Sequence, residues 1–443
     1  MQSRVMKKLI TLPAVLFIIM TATAQKQWSL SDCINYAIEN NLSVRRSQLT
    51  VQQQENELST SKARRMPGVS AGASQNFSFG RGLTAQNTYD NTNTTNTSFS
   101  VGADMTLFQG FSIRNGIEVS RLNLEAATAD LEKARDDIRV AVAKSFVQIL
   151  FNKEILQVAR NQVSIDSVQV ERITLMVQNG KASLAELSAQ KASLAQSRLS
   201  CTQARNNLNL ALLDLTQLLE LASPEGFDIE VPDVDAFRTG LLGNPEDIYA
   251  EAVAVKPAIR SEEIRLNSAE RNISIAKSNY YPSLSLSAGL STNYYTTSSR
   301  SSDSFGSQLK NNFGQSIGLS LRIPIYNRLS TRNGVRSAQI SYMNQQLQLE
   351  NARKSLYKEI QQAYYNAVAS ESKYVSSTAA EASAREAFDI MEAKYEEGKA
   401  DITDYNQSKG RWIEAASNLA QARYDFLYQT KILDFYRGKD LSF

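Results

Sequence analysis

Histidine is absent from all 443 residues of the chain, and cysteine occurs twice, at Cys33 and Cys201. Without histidine, the chain cannot form Ser–His–Asp or Cys–His nucleophilic arrangements, nor a metal site that uses imidazole ligands. Neither cysteine stands in a CxxC motif. We expect both to be small packed residues, with a disulfide as the alternative. No P-loop occurs, so any energy source must lie in a partner protein. An enzyme is therefore not expected, and no cofactor or metal is assigned.

Long hydrophobic runs are also missing. The run Leu9–Met20 spans 12 residues, which is too few to cross a bilayer as a helix. It follows the basic residues Arg4, Lys7 and Lys8 and precedes Ala22-Thr23-Ala24. This pattern predicts a secretory signal peptide over residues 1–24, with a membrane anchor as the alternative. No later run is long enough for a transmembrane helix.

Positive and negative charges nearly balance. The chain has 48 lysine and arginine residues against 45 aspartate and glutamate residues. Removal of the signal peptide would bring the net charge close to zero. Nothing in this balance indicates a nucleic-acid partner.

Proline and glycine are rare, and two long stretches have almost none. We expect long helices over 110–179 and 328–397, because proline is absent from both interiors. Both stretches begin with an Arg-Asn-Gly tripeptide and end with Gly-Lys-Ala at 180–182 and 398–400. At 1.5 Å per residue each helix would be roughly 100 Å long. Such a helix must pack along other helices rather than inside a globular core.

These matches reveal a tandem duplication, so the fold is expected to consist of two similar halves. The matching residues are 218 positions apart in the long helices and 215 apart before them, as at Pro67 and Pro282. Repeat one is assigned to 25–222, an irregular equatorial connector to 223–245, and repeat two to 246–443. The long helices are followed by predicted helices over 183–220 and 401–437. Shorter helices are predicted before the strands, at about 42–65 and 257–280, so that two short helices lie alongside each long one.

Between these helices the hydrophobic period changes to two, which indicates strands. The predicted strands cover about 68–80, 97–108, 282–294 and 313–326. One face is apolar and the other is mostly serine and glycine. A soluble sheet and a membrane barrel both give this alternation. Strand length, the small polar face and the Ser/Thr/Asn-rich loops favour the barrel. Four strands cannot close a barrel, so a dimer or a trimer must share strands.

The helix–strand–strand–helix–turn–helix duplication, the opening Trp28-Ser29-Leu30 and the Gly-Lys-Ala turns resemble the TolC-like family of outer-membrane channel-tunnel proteins. The resemblance implies a mixed α and membrane-β fold: a tandem-duplicated protomer with four barrel strands and long antiparallel coiled helices. It implies a homotrimer with a 12-stranded barrel in the outer membrane of a Gram-negative bacterium and a 12-helix periplasmic tunnel. It also implies a passive export duct for drugs, metals, small molecules or polypeptides. Its partners would be outer-membrane lipid, a periplasmic adaptor protein and an inner-membrane RND or ABC transporter.

The family also suggests positions for a periplasmic gate. Tyr395 matches a family tyrosine before the turn, and Asp404 falls at the first aspartate ring of the entrance. The second ring falls at Gln407, and the family arginine is replaced by Ala400. Glu186 matches the aspartate that pairs with that arginine, so Lys181 or Lys399 would have to substitute.

Several expectations follow with their alternatives. Asp404 could form a ring of carboxylates that binds cations, or serve as an acid near a helix N-terminus. Asp104 and Arg322 lie on the polar strand face, where they could tune permeation or hold strand register. The exposed turns around Gly180-Lys181 and Gly398-Lys399 are the expected adaptor contacts. The competing function is a secreted helical scaffold or adhesin without a pore.

Overall fold

The computed structural model describes residues 27–83, 87–232, 243–298 and 300–442. The expected signal peptide lies outside the described residues. The same holds for residues 233–242 of the expected connector.

Two helices of 67 residues dominate the structure, α3 (Ser112–Gln178) and α8 (Ser330–Glu396). The residues before them, Phe111 and Leu329, adopt the left-handed conformation with φ of 63° and 64°. Gly110 precedes the first of these at φ 53°, and a Cβ there would lie 2.5 Å from the carbonyl oxygen of Ser278. Only glycine fits this close approach, which fixes the point where strand gives way to helix.

Each long helix turns back into a shorter antiparallel helix. These are α4 (Leu184–Leu218) and α9 (Ile402–Tyr436), each of 35 residues. The turns are made at Gly180 (φ 64°) and Gly398 (φ 73°), where the left-handed conformation ends the preceding helix. The pairs α3–α4 and α8–α9 therefore form two helical hairpins.

Shorter helices lie alongside the two long ones. They are α1 (Leu30–Asn40), α2 (Leu42–Ala63), α5 (Pro245–Val255) and α6 (Pro257–Ser278). Helix α2 packs on α3, and α6 packs between α3 and α8. Strand β1 (Gln27–Trp28) pairs in parallel with β6 (Asp228–Ile229), which ties the start of the described chain to the region after α4.

The strands form one antiparallel four-stranded sheet in the order β2-β5-β7-β8. Its members are β2 (Gly68–Ser78), β5 (Thr94–Gln109), β7 (Ser283–Thr297) and β8 (Gly314–Arg322). A small ribbon, β3 (Arg81–Leu83) and β4 (Tyr89–Asn91), joins the first pair, and helix α7 (Phe305–Asn311) joins the second. In the described part of the chain β2 and β8 are the two edges of this sheet, so each pairs with one strand there.

The strand ends differ from the sequence-based bounds. Strand β8 ends at Arg322 rather than near 326, because Pro324 cannot donate a ladder hydrogen bond. Strand β2 ends at Ser78, ahead of Gly80 at φ 122°. Strands β5 and β7 are longer than expected, since Thr94 pairs with Thr297 across the two repeats. That pairing joins residues about 200 apart in sequence, which a local pattern does not reveal.

The apolar core lies midway along the long helices. One cluster surrounds the fully buried Phe146, Ile149 and Leu215, and the other surrounds Ile259 and Ile360. Cys33 is buried in the first cluster beside the α1 residues Ile34 and Ala37. None of the helices in the described part of the chain is both long and apolar enough to cross a lipid bilayer.

The helices and the sheet strands of the two repeats match, whereas the connections between the paired strands differ. Helix α6 follows α2 by 215 residues at both ends, and α8 follows α3 by 218 at both ends. The strand register repeats as well: Gly68 lies opposite Asp104 in the first hairpin, and Ser283 lies opposite Arg322 in the second. The duplication is therefore structural, down to the pairing of single residues.

Candidate functional site

The free ends of the two helical hairpins lie side by side. Arg172 of α3 reaches the C-terminal end of α8, where its Nη1 lies 3.2 Å from Oε1 of Glu396. Its Nη2 donates to the carbonyl oxygen of Glu396 at 3.2 Å. The same guanidinium lies over the ring of Tyr395, 5.6 Å from the ring centroid. One arginine thus joins the first hairpin to the second by an ion pair, a backbone hydrogen bond and a cation–π contact.

Aromatic rings fill the space beside this contact. The ring of Tyr405 on α9 is fully buried, 5.0 Å from the ring of Tyr395 and 5.5 Å from that of Phe388. Phe388 also stacks on Trp412 with ring centroids 5.2 Å apart. Gln169 of α3 donates to the Tyr405 hydroxyl at 3.4 Å. The hairpin ends are therefore joined by a packed layer as well as by charge.

Burial changes the acidity of groups in this layer. Burial raises the pKa of Tyr405, and the neighbouring Glu392 carboxylate raises it further. Burial also raises the pKa of Tyr395, although the Arg172 guanidinium opposes the shift. The pKa of Glu392 is raised first by burial and then by the carboxylates of Glu396 and Asp389. Both tyrosines are thus neutral hydrogen-bonding groups over the physiological range.

Some of the residues that the sequence assigned to the gate cap helices, and others are exposed. Glu186 forms a capping box with Ser183, accepting from the Ser183 amide at 3.2 Å while its own amide donates to the Ser183 hydroxyl at 3.2 Å. Asp401 caps α9 by accepting from the amides of Thr403 and Asp404, both at 2.8 Å. Asp404 and Gln407 are exposed on the first turns of α9.

The turns themselves are exposed at Gly180, Lys181, Gly398 and Lys399. The Lys399 ammonium lies 2.5 Å from Glu397 at the surface. The guanidinium over Tyr395 is that of Arg172, in the last turns of α3. The sequence did not single out Arg172, because the only cations considered were Lys181 and Lys399, as substitutes for the arginine that would pair with Glu186.

A second site that sequence reasoning missed lies one to two turns further from the hairpin ends. Asp166 of α3 is fully buried, and it accepts hydrogen bonds from Lys409 of α9 and from Ser197 of α4. Gln162 donates to the same carboxylate at 2.9 Å and Gln190 at 3.2 Å. The side chain of Lys409 is 5% exposed. Three helices from both repeats therefore meet at one buried carboxylate.

A sequence signal for this site existed. Gln162, Asp166 and Gln169 recur at spacings of four and three, which places them on one face of α3. Nearer the middle of α3 the buried residues are mostly apolar and include Leu150 and Leu156. Buried polar residues become more frequent toward the hairpin end, and this change marks the site.

The charged residues of the sheet do not meet within one chain. Asp104 on β5 lies opposite Gly68 and Ser287, whereas Arg322 on β8 lies opposite Ser283. Strand β7 separates them, and they differ in level by four residues along it. The Asp104 carboxylate lies over Gly68, 3.6 Å from the point where a Cβ would stand. Across the described residues, no group of three or more acidic or cysteine side chains could hold a metal ion.

Comparisons with known proteins agree with this architecture. The sequence model of a family described as "Outer membrane efflux protein" matches residues 33–220 and 248–438. The outer membrane protein TolC of Escherichia coli (strain K12) is 25% identical over 355 residues, covering 74% of this chain and 71% of that protein.

Solved structures share the fold. CusC superimposes with a TM-score of 0.79 at 18% identity, covering 92% of each chain. The CmeC outer membrane channel of Campylobacter jejuni gives a TM-score of 0.79 at 17% identity, covering 94% of this chain and 87% of that one. At these identities the likeness establishes the fold, while the family match extends over both repeats.

Proposed function

Because the chain belongs to the outer membrane efflux protein family, we propose that three copies form the outer membrane duct of a tripartite efflux or type I secretion system. As a member of this family it is a transport channel rather than an enzyme. It acts in the outer membrane of a Gram-negative cell, with its helices in the periplasm. The number of copies, the closed barrel and the partners are what we propose beyond this.

The observation that carries the proposal is the sheet. Its apolar face is exposed, with Val69 at 70%, Phe77 at 59% and Ile317 at 83% of full exposure. An open sheet with two unpaired edges is not tolerated in lipid, because the unpaired backbone groups would lack partners. Three copies would supply 12 strands, close both edges and leave a lumen lined by serine and glycine.

The helices would continue this lumen into the periplasm. Each copy would contribute the two hairpins α3–α4 and α8–α9, with α2 and α6 extending the short members, so that three copies give a ring of 12 rods. The protein would be a passive conduit, since the chain has no nucleotide-binding loop. Drugs, metals, small molecules or polypeptides would be exported by an RND or ABC transporter in the inner membrane. A periplasmic adaptor would contact the exposed turns at Gly180-Lys181 and Gly398-Lys399.

We assign the gate to the hairpin ends. In the resting state Arg172 would hold Tyr395 and Glu396, so the α8–α9 hairpin would stay against α3. Glu186 would support the neighbouring turn as a helix cap. Asp404 would face the entrance as a ring of three carboxylates, which would bind cations.

The lumen charges would alternate. Asp104 and Arg322 occupy equivalent positions of the two strand hairpins, as the repeated register indicates. Around a ring of three copies, three carboxylates would therefore alternate with three guanidiniums. Such a belt would tune the passage of charged solutes.

The test is reconstitution of the mature chain. In detergent we expect light scattering to give the mass of a trimer, and in planar bilayers we expect discrete conductance steps. A chain that washes from membranes in salt, remains monomeric and conducts no ions would instead be a secreted scaffold or adhesin. That result would overturn the proposed duct.

A further inference from the structure

The strand pairing between the two repeats of one chain is called the inner seam. It provides a template for the strand pairing between copies. Within one chain, β5 of the first strand hairpin pairs with β7 of the second, with Ser100 opposite Ser291 and Asp104 opposite Ser287. Strand β8 is the counterpart of β5, and β2 is the counterpart of β7. The pairing that would join two copies, β8 with β2, is thus the counterpart of a pairing already present.

The sequence offsets between the two repeats determine which residues of β8 and β2 would face each other where two copies meet. Both strand hairpins have the same internal register, so residues of β2 correspond to residues of β7 that follow by 215 positions. Residues of β5 correspond to residues of β8 that follow by 218. Applying these offsets to the pair Asp104–Ser287 gives Arg322 opposite Gly72. Two residues along the strands, the same mapping gives Ser320 opposite Ser74.

We propose that copies of this chain join through an antiparallel β8–β2 seam in this register, with Ser320 opposite Ser74 of the partner subunit. The inference rests on the proposed trimer and adds the contact that closes it. Among the described residues neither edge has a second partner strand, and the order β2-β5-β7-β8 leaves the two edges antiparallel to each other when the sheet closes.

The side chains agree with this register. On the outer face it puts Leu321 opposite Ala73 of the partner subunit and Ile317 opposite Phe77 of the partner subunit. Between these apolar pairs, Leu319 lies opposite Gln75 of the partner subunit. On the inner face Ser320 meets Ser74 of the partner subunit, and Ser316 meets Ser78 of the partner subunit. A slip by one residue would turn one strand's apolar set into the lumen, which makes odd slips costly. Even slips keep the faces matched, and the repeat rather than the pattern selects among them.

In this register there is also space for the long side chain of Arg322. Opposite it stands Gly72 of the partner subunit, which has no side chain. The long guanidinium arm can therefore lie across the neighbouring strand without displacing a side chain. The serine at the equivalent place in the inner seam, Ser287, faces the much shorter Asp104.

Cysteine cross-linking tests the register directly. In a chain carrying Cys33→Ala and Cys201→Ser, we expect Ser74→Cys with Ser320→Cys to give a covalent trimer on mild oxidation. Directly opposed residues lie within the roughly 7 Å between Cα atoms that a disulfide spans. Ser70→Cys or Ser78→Cys with Ser320→Cys would be displaced by four residues, or about 13 Å along the strand. We expect at least about tenfold less trimer from either off-register pair on gels without reductant.

A pair inside one chain provides the matched control. Ser285 lies opposite Ser320 in the β7–β8 hairpin, so Ser285→Cys with Ser320→Cys should oxidise without any increase in mass. More covalent trimer from an off-register pair would overturn the register while leaving the trimer intact. A trimer by light scattering with no cross-link in any pair would overturn the β8–β2 seam. A monomer by light scattering would overturn the proposed duct as well.

Discussion

Lys409 of α9 donates a hydrogen bond to the fully buried carboxylate of Asp166 on α3, although 243 positions separate them in sequence. The pair joins the second helical hairpin to the first between the apolar clusters at the middle of the long helices and the aromatic layer at the hairpin ends. Three neutral donors complete the coordination of the carboxylate. Buried charges are costly unless they are paired, so this contact specifies one packing of the two hairpins.

Breaking this pair on one side should loosen the hairpin ends. For Lys409→Met we expect a loss of about 3–5 kcal/mol, because Asp166 would remain buried without its cation. The double variant Lys409→Met with Asp166→Asn should recover much of the loss. The measurement is thermal unfolding in detergent, together with hydrogen exchange in α9. The control is Lys373→Met, which removes an exposed pair with Asp425 at 3.7 Å and should cost at most about 1 kcal/mol. Equal effects of the two single variants would contradict the assignment.

Removing Arg172 should favour the open gate. Arg172→Ala deletes the ion pair with Glu396 and the contact with the Tyr395 ring, so the α8–α9 hairpin loses a link to α3. We expect a higher open fraction of single channels in planar bilayers. Arg160→Ala, an exposed arginine on the same helix, is the matched control. If both variants conduct like the parent, Arg172 does not hold the gate.

Asp404 should determine cation block at the entrance. Asp404→Ala and Asp404→Asn both remove the charge, while the cap of α9 by Asp401 stays in place. We therefore expect both variants to show weaker block of single channels by multivalent cations, with little change in thermal stability. Unchanged block in both variants would leave Asp404 as an acid that stabilises the helix N-terminus.

The hairpin ends should be more stable in mild acid. The pKa of Glu392 is raised above its ordinary value of 4.5 by burial and by Glu396 and Asp389, against opposing effects of Arg172 and Tyr405. The folded state therefore binds the proton more tightly than the unfolded chain. Its contribution to stability is complete below pH 4.5 and is lost as pH rises through the raised pKa.

Trp412 offers a local probe of this effect, since its ring stacks on Phe388 in the same layer. In a Trp28→Phe background we expect its fluorescence to report a higher unfolding temperature at about pH 4.5 than at pH 7, with a smaller difference in Glu392→Gln. An identical pH dependence in parent and Glu392→Gln would rule out this carboxyl as the source.

Two glycines near the start of α3 should respond oppositely to alanine. Gly110→Ala should be strongly destabilising, because φ is 53° and the new Cβ would meet the Ser278 carbonyl oxygen. Gly116 is helical and has open space around its Cβ position, so Gly116→Ala should stabilise by about 0.5–1 kcal/mol. The unfolding temperatures of the two variants check this contrast. If Gly110→Ala unfolded at the same temperature as the parent, the strand–helix junction could adjust to a side chain at this position.

Much of the fold could be read from the sequence because its signals are local. The long proline-free helices, the glycine turns and the alternating strands depend on neighbours within a few residues, and the duplication is visible as repeated short motifs. The structure gives the long helices within two residues of the expected bounds. The strand ends were less accurate, because the pairing partner decides where a strand stops.

By itself, the sequence determined a twice-repeated chain of long helices and short two-faced strands, since periodicity and turn residues act over short distances. Tertiary structure alone decided which cation reaches Tyr395, where the buried Asp166 finds its partner, and the strand order β2-β5-β7-β8. These contacts join residues that lie far apart in the chain. They depend on how whole helices and strands pack, and several packings are compatible with the same local pattern.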